Sequence, residues 1–359
     1  MQRTLLRLQA ALSPLLAPLG WAYAAVLRQR ERAYAAGSRD SWQPPIPCIS
    51  VGNIAWGGTG KTPLTAWLAQ RALDAGRTPC ILTRGYNAVP PGPHYLASPD
   101  NLPMHVGDEP LMLCRALPGA RVVVDPDRTR AGQWAIETLR PDLFLLDDGF
   151  SHLAVRRDLD LVLLTPDDLG CNWNRPIPAG PWREGQAALE RATAFLVRCT
   201  EDEVPTLGPL AQRRLGVLNK PVFTFTLLPQ GLAPVSLRRS ETLPPAPGAR
   251  YILASATGNP GSVYATATSY MGREPMKHLV FPDHHVFSSA DWLNISVSAR
   301  SWEAAAVLCT EKDAAKLAPF ADETVWALTV TPAFGPALLG QGDFITWWDG
   351  QAKRLLRLE

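Results

Sequence analysis

Residues 53–67, NIAWGGTGKTPLTAW, sit between an apolar, β-branched run, IPCISVGNI, and a helical pattern, TPLTAWLAQRALDAG, that ends at Gly76. Strand, glycine-rich loop and helix in direct succession are the context a phosphate-binding loop requires, and no other feature of the chain constrains its fold as strongly. Glycines let the backbone curl until its N–H groups face phosphate oxygens, and the helix dipole adds positive potential there. The expected ATP-binding residues are Ala55, Trp56, Gly57, Gly58, Thr59, Gly60, Lys61 and Thr62. Lys61 is placed to neutralise the β and γ phosphates, and the Thr62 hydroxyl to ligate Mg²⁺. The strict pattern G-x-x-x-x-G-K-[ST] asks for glycine at position 55, where this chain has Ala55. A glycine turn that happens to contain Lys-Thr is the plain alternative, and the flanking strand and helix argue against it.

The second half of such a site belongs at the end of another buried strand. PDLFLLDDGFSH, residues 141–152, supplies one: four apolar residues run into Asp147 and Asp148, which emerge at the carboxyl end. Paired carboxylates there hold Mg²⁺ directly or through water. A strand-ending Asp-Asp-Gly turn is the alternative. His152 follows closely enough to support the pair from behind. Arg128, in DPDRTRAG after the strand ARVVV, is a phosphate-binding candidate, with a solvated arginine at a helix start as the competing reading. Guanine-specific switches fit poorly. Their D-x-x-G turn would need glycine where Phe150 stands, and their N-K-x-D motif would need lysine where Glu311 precedes Asp313. A membrane-attached ATPase switch of the deviant loop type pairs a similar loop with an amphipathic helix, but its lysine before the glycine pair is Trp56 here.

At 359 residues the chain has room for two domains, and its formal net charge of +2 argues against a nucleic-acid partner. Its six cysteines form no C-x-x-C pair, against zinc and a secreted disulfide framework. From residue 46 onward strand-like runs (RVVVD, LFLLDD, LDLVLLT, TAFLVR, YILASATG, AAAVLCT, VWALTV) alternate with helical stretches. The fold expected is α/β: a P-loop NTPase-like parallel sheet sandwiched by helices, a second smaller α/β domain and an N-terminal amphipathic helix. The expected bounds are 1–36 for the helix, 37–200 for the core, 201–250 for a proline-rich linker with some strand, and 251–359 for the second domain.

At the N-terminus Leu5, Leu8, Leu12, Leu15 and Leu19 form one helical stripe, with Arg3, Arg7 and Arg28 projecting elsewhere. Pro14 and Pro18 would kink it. A membrane span, a signal peptide and a plain core helix compete with an interfacial membrane helix. The uncharged run is short for a span, and a site using cytosolic ATP counts against export, which leaves the interfacial helix favoured.

The segments SVGNIAWGGTGKTP, TRGY, VGDEPLML, DDGFSH, RDLDLVLL, IPAGPWRE, FPDHHVF and TEKDAAKL, in that order, resemble the tetraacyldisaccharide 4′-kinase family of Gram-negative bacteria and span most of the chain. Two departures stand out: Ser151 replaces a usual glutamine, and GCNWNRPIPAGPWRE alters a region that usually begins Gly-Asn-Gly. The resemblance implies transfer of the ATP γ-phosphoryl to the 4′-hydroxyl of an acylated disaccharide 1-phosphate, with Mg²⁺. The implied location is the cytoplasmic face of the inner membrane, peripheral or monotopic, with no obligate protein partner. It also implies an aspartate–histidine pair that accepts the hydroxyl proton, mapping to Asp108 of VGDEP and His284 of PDHHVF. From the residues alone Asp108 reads as a helix N-cap. His284 and His285 would face opposite ways on a strand, so only one enters the site. Glu184, as metal or water ligand, and Arg183, as a bidentate phosphate partner, rest on the resemblance too. Closure of the second domain, carrying His284, would exclude water. Trp173 and Trp182, near Arg175, are either headgroup anchors or loop packing.

Overall fold

The computed structural model describes residues 2–86, 88–236 and 242–356, with the side chains of residues 2–11 outside the description. In chain order the strands are β1 (Cys48–Asn53), β2 (Pro79–Thr83), β3 (Tyr95–Leu96), β4 (Arg121–Val124), β5 (Leu143–Asp147), β6 (Leu159–Leu164), β7 (Ala194–Arg198), β8 (Val222–Pro234), β9 (Tyr251–Ser255), β10 (Lys277–Val280), β11 (Ala306–Thr310) and β12 (Val325–Leu339). The helices are α1 (Gln2–Ala35), α2 (Lys61–Asp74), α3 (Pro103–Val106), α4 (Asp108–Ala116), α5 (Arg128–Thr138), α6 (Pro166–Leu169), α7 (Val204–Leu215), α8 (Pro260–Met271), α9 (Ser289–Ser301), α10 (Glu311–Leu317) and α11 (Phe344–Leu356).

The chain divides into two compact units, one of residues 1–84, 119–226 and 333–359, the other of residues 85–118 and 227–332. The division is not a single cut in sequence order. Residues 85–118, expected in the core domain, belong to the second unit, and 333–359 return to the first. The expected linker is also more ordered than its prolines implied. Its first part is α7, which buries Leu207, Ala211 and Leu215 at spacings of four, and whose Pro205 sits in the first turn, where no N–H is needed.

In the first unit the strand order is β4-β2-β5-β1-β6-β7-β8, with every pairing parallel. β1, β2, β5 and β6 are buried at every residue, which is what a parallel sheet covered on both faces demands. One face packs Leu82, Val123 and Phe144 against Ala131 and Ala135 of α5. Further along the sheet the same face, by the register that pairs Cys48 with Phe144 and Gly52 with Val162, packs Val162, Phe195 and Val197 against α7. Helix α1 continues through Pro14 and Pro18. The packed face of α1 accounts for this. Ser13 is buried, a Cβ on Gly20 would lie 2.8 Å from the Pro176 carbonyl oxygen, and Ala24 abuts Gly185. Contacts along the helix thus offset the loss of two backbone N–H donors. In the second unit the order is β10-β9-β11-β12-β8, with β10, β9, β11 and β12 parallel. Its faces are covered by α9 and α10 on one side and α8 on the other. All six cysteines are free.

Candidate active site

Lys61 opens α2, and the two bends that bring the chain there fall on glycines. Gly57 (φ 129°) and Gly60 (φ 96°) occupy backbone conformations closed to most side chains. Ala55 fills the first motif position without needing glycine. It is absent from the positive-φ residues, is buried, and pairs its backbone with Trp182. Trp56 is exposed, while Thr59 and Thr62 are buried. The Lys61 ammonium donates to Asn53 Oδ1 at 3.1 Å and lies 3.7 Å from Asp148. A loop-derived cation and a strand-end carboxylate therefore share one site.

The parallel register explains that meeting. Val51 of β1 lies opposite Asp147 of β5, so both strands deliver their carboxyl ends to the same edge. Asp147 is buried and accepts from Thr65 Oγ1 at 3.2 Å. Asp148 turns away in the left-handed region (φ 53°), which separates the two carboxylates into different roles. Arg183 grips Asp148 with Nη1 at 2.9 and 3.1 Å and donates from Nη2 to Asn53 at 3.0 Å. Burial raises the Asp148 pKa, but Lys61 and Arg183 outweigh it and hold the carboxyl below its ordinary value. Two carboxylates and the Thr62 hydroxyl are hard oxygen donors of the kind Mg²⁺ takes alongside substrate phosphates. Among the described residues no three carboxylate, histidine or cysteine side chains form a metal cage.

Glu184, expected among the metal ligands, has its carboxylate engaged otherwise. Ser151 Oγ donates to it at 2.6 Å, and Arg191 Nη2 reaches both oxygens at 2.9 and 3.0 Å. Arg191 also pairs with Glu31 of α1 at 2.9 Å and covers the Phe150 ring. Arg128 is buried rather than solvated, which removes the bland reading of it. Burial first, and the neighbouring Arg84, lower its pKa against the pull of Asp148, Asp147 and Asp125. Its Nε has no hydrogen-bond partner. Two crowded guanidinium groups with an unfilled buried donor suit an anionic ligand.

His152, expected to support the aspartates, is half-buried. Its Nε2 is buried without a partner, and burial, followed by Arg128 and Arg157, pushes its pKa down to about 4. The ring is therefore neutral when folded. Unfolding restores an ordinary value near 6.5, so stability is full above about 6.5 and is lost as pH falls toward 4, by about 3 kcal/mol from this residue. Denaturant midpoints measured from pH 7 to 4 are expected to fall less steeply in His152→Gln than in the unaltered protein. Equal slopes would contradict this assignment.

Trp182 is fully buried, donates from Nε1 to Asp168 at 2.9 Å, and stacks edge-on with Trp173. Arg214 lies over Trp173. Trp182 thus packs the loop from inside, and Trp173 packs against it from a half-buried position.

In the second unit, Asp108 is the first residue of α4 and makes no side-chain cap. Its carboxylate lies 3.8 Å from His284 Nδ1 and 3.4 Å from Lys316 Nζ. Burial raises its pKa, but His284, Lys316 and Lys312 overcome this and lower it. His284 and His285 sit in a turn after β10 rather than on a strand. His284 adopts φ 59°, packs its ring at a tilt against Tyr86 and meets Lys312 at 3.2 Å, while His285 bonds Asp291. Only His284 joins Asp108. Asn53, Arg191, Lys312 and Lys316 were not legible as site residues. The first is a polar residue ending a buried strand, and the two lysines share a helix face at i and i+4; nothing local marks Arg191.

A parallel sheet with a glycine loop opening a helix at the end of β1, and a carboxylate at the end of β5, defines a P-loop nucleotide-binding protein. The sequence matches the family described as Tetraacyldisaccharide-1-P 4'-kinase over residues 12–341. The chain belongs to that family. It is 47% identical to the tetraacyldisaccharide 4'-kinase of Nitratidesulfovibrio vulgaris over 98% of this chain and 97% of that one. With the tetraacyldisaccharide 4'-kinase of Oleidesulfovibrio alaskensis it shares 45% identity, over 98% of this chain and 99% of that one. The crystal structure of LpxK from Aquifex aeolicus in complex with ATP superposes with a TM-score of 0.70 at 26% identity, covering 96% of this chain and 98% of that one. These relatives favour the kinase over the ATPase switch.

Proposed function

We propose that this chain transfers the γ-phosphoryl of ATP to the 4′-hydroxyl of a tetraacyldisaccharide 1-phosphate, with Mg²⁺ held through Thr62, Asp147 and Asp148. The observation that carries this reading is the meeting of Lys61 with Asp148 and Asn53 at the strand ends, in a chain of this family. As the bond from the hydroxyl oxygen to the γ-phosphorus forms, the bond from that phosphorus to the β,γ-bridging oxygen breaks and ADP leaves. The hydroxyl proton passes to Asp108, with His284 beside it. Lys61 offsets charge on the phosphates, and bound Mg²⁺ supplies further charge neutralisation. Arg128, deep in the first unit, is assigned to an anionic or sugar oxygen of the substrates. Arg183 orients Asp148, and Glu184 orients Arg191 and Ser151.

An acylated acceptor resides in a bilayer, and α1 presents the surface to meet it. Leu12, Leu15, Leu19, Tyr23 and Val26, three or four apart, are exposed, with Leu15 at 77%. Leu5, Leu8, Arg3 and Arg7 extend the expected pattern but lie outside the described side chains. No described helix is long and apolar enough to cross a membrane, so the docking proposed is interfacial, on the face of the inner membrane that cytosolic ATP reaches. Half-burying a leucine contributes on the order of 1 kcal/mol. The double variant Leu15→Asp/Leu19→Asp is expected to reduce sedimentation with anionic lipid vesicles by at least about tenfold. Undiminished sedimentation would refute interfacial docking.

A further inference from the structure

The strand end of β11 passes into α10 through Thr310, whose hydroxyl caps the helix by accepting from Asp313 N at 3.1 Å. Asp313 is fully buried, and its Oδ2 accepts from Ala256 N at 2.9 Å and from the Thr310 hydroxyl at 2.8 Å. These bonds tie the start of α10 to the end of β9. One turn further, Lys316 is left with a side chain only 5% exposed. Its ammonium stands 3.0 Å from Asp313 Oδ1, 3.4 Å from Asp108 Oδ2 and 5.6 Å from the centre of the Phe287 ring. A buried ammonium between two carboxylates is costly to leave uncompensated, so its position is strongly determined. Lys312, one turn earlier on the same face, lies 3.2 Å from His284 Nε2 and 3.5 Å from both Glu109 and Asp283.

We propose that Lys316 and Lys312 are positioning residues for the phosphoryl acceptor's base: Lys316 keeps the Asp108 carboxylate charged and oriented, and Lys312 fixes the His284 ring. Lys312 donates to Nε2, so a neutral His284 carries its proton on Nδ1, the nitrogen that faces Asp108. The groups around Asp108 are then the His284 ring and the charged Lys316 and Lys312, with Glu109, Asp283 and Asp313 behind the lysines. Two lysines against three acids leave the net field at Asp108 dependent on distance, and the 3.4 Å contact with Lys316 dominates. The TEKDAAKL segment thus serves the reaction without touching a reacting atom.

The inference rests on Asp108 as the base. An opposite charge at this range lowers a carboxyl pKa by about one to three pH units. Removing the lysine charge therefore raises the Asp108 pKa, and the base is lost to protonation at higher pH. With purified full-length protein, Lys316→Met is expected to move the acid limb of the kcat/KM profile for the lipid acceptor upward by about one pH unit. The dissociation constant for ATP should be unchanged, and Lys316→Arg should bring the limb back toward its original position. Should Lys316→Met fail to fold, the double variant Lys316→Met/Asp313→Asn removes both members of the buried pair. Lys312→Gln, at a site 17% exposed, gives a smaller shift in the same direction. A folded variant lacking the Lys316 charge whose acid limb stays in place would overturn the proposal. Full turnover by Asp108→Ala would instead reject the base assignment itself, so the two failures are separable.

Discussion

Lys61→Ala is expected to lower kcat by about 10²–10³, the scale seen when one preorganised donor to developing charge is removed. The ammonium is held by Asn53 and Asp148 at 3.1 and 3.7 Å, which fixes its direction. Its loss does not strand Asp148, because Arg183 keeps a two-pronged grip on that carboxylate. The fold should therefore survive, with thermal melting close to that of the unaltered protein, and the loss should fall on turnover. Lys61→Arg is not expected to rescue it, since a planar guanidinium does not reproduce the point charge of the ammonium. Wild-type turnover in Lys61→Ala would remove the loop from the chemistry.

Asp108→Ala is expected to lower kcat by about 10²–10⁴ with the dissociation constant for ATP unchanged. The split between the two readouts separates a role in proton acceptance from one in nucleotide binding. Asp108 sits in the second unit and makes no helix cap, so its replacement does not cost α4 a cap. It does leave Lys316 with Asp313 as its remaining carboxylate partner. Steady-state rates against acceptor concentration, together with equilibrium nucleotide binding, check the prediction. A variant that binds ATP poorly but turns over normally would contradict it.

The parts of the site legible in the sequence are those whose chemistry is local. A glycine loop between strand and helix announces itself because the bends at Gly57 and Gly60 need glycine wherever the rest of the chain goes. Asp147 and Asp148 were legible for a similar reason, since an apolar run can end in acids only where its strand leaves the sheet. What local pattern could not supply was the partner. Asp108 reads as a cap until α10 brings Lys316 to it from more than 200 residues away. Arg128 reads as a solvated helix start until the sheet buries it. His152 follows two aspartates in sequence, but its burial and the nearby Arg128 and Arg157, which lower its pKa, are not visible in local pattern.

The same distinction governs the fold. Alternating strands and helices made the α/β class readable from residue 46 onward. The assignment of 85–118 to the second unit was not, because it depends on packing between segments distant in the chain. Prolines misled in the expected linker, where α7 carries one in its first turn, a position that tolerates it.

Incubation with ATP labelled in its γ-phosphate and a tetraacyldisaccharide 1-phosphate in mixed micelles, followed by separation of lipid from water-soluble products, examines the central assignment directly. Label should enter the lipid fraction with the intact protein and do so about 10²–10³ times more slowly with Lys61→Ala. Label recovered only as inorganic phosphate, with the acceptor unchanged, would mean that this loop serves hydrolysis and not transfer to a sugar hydroxyl.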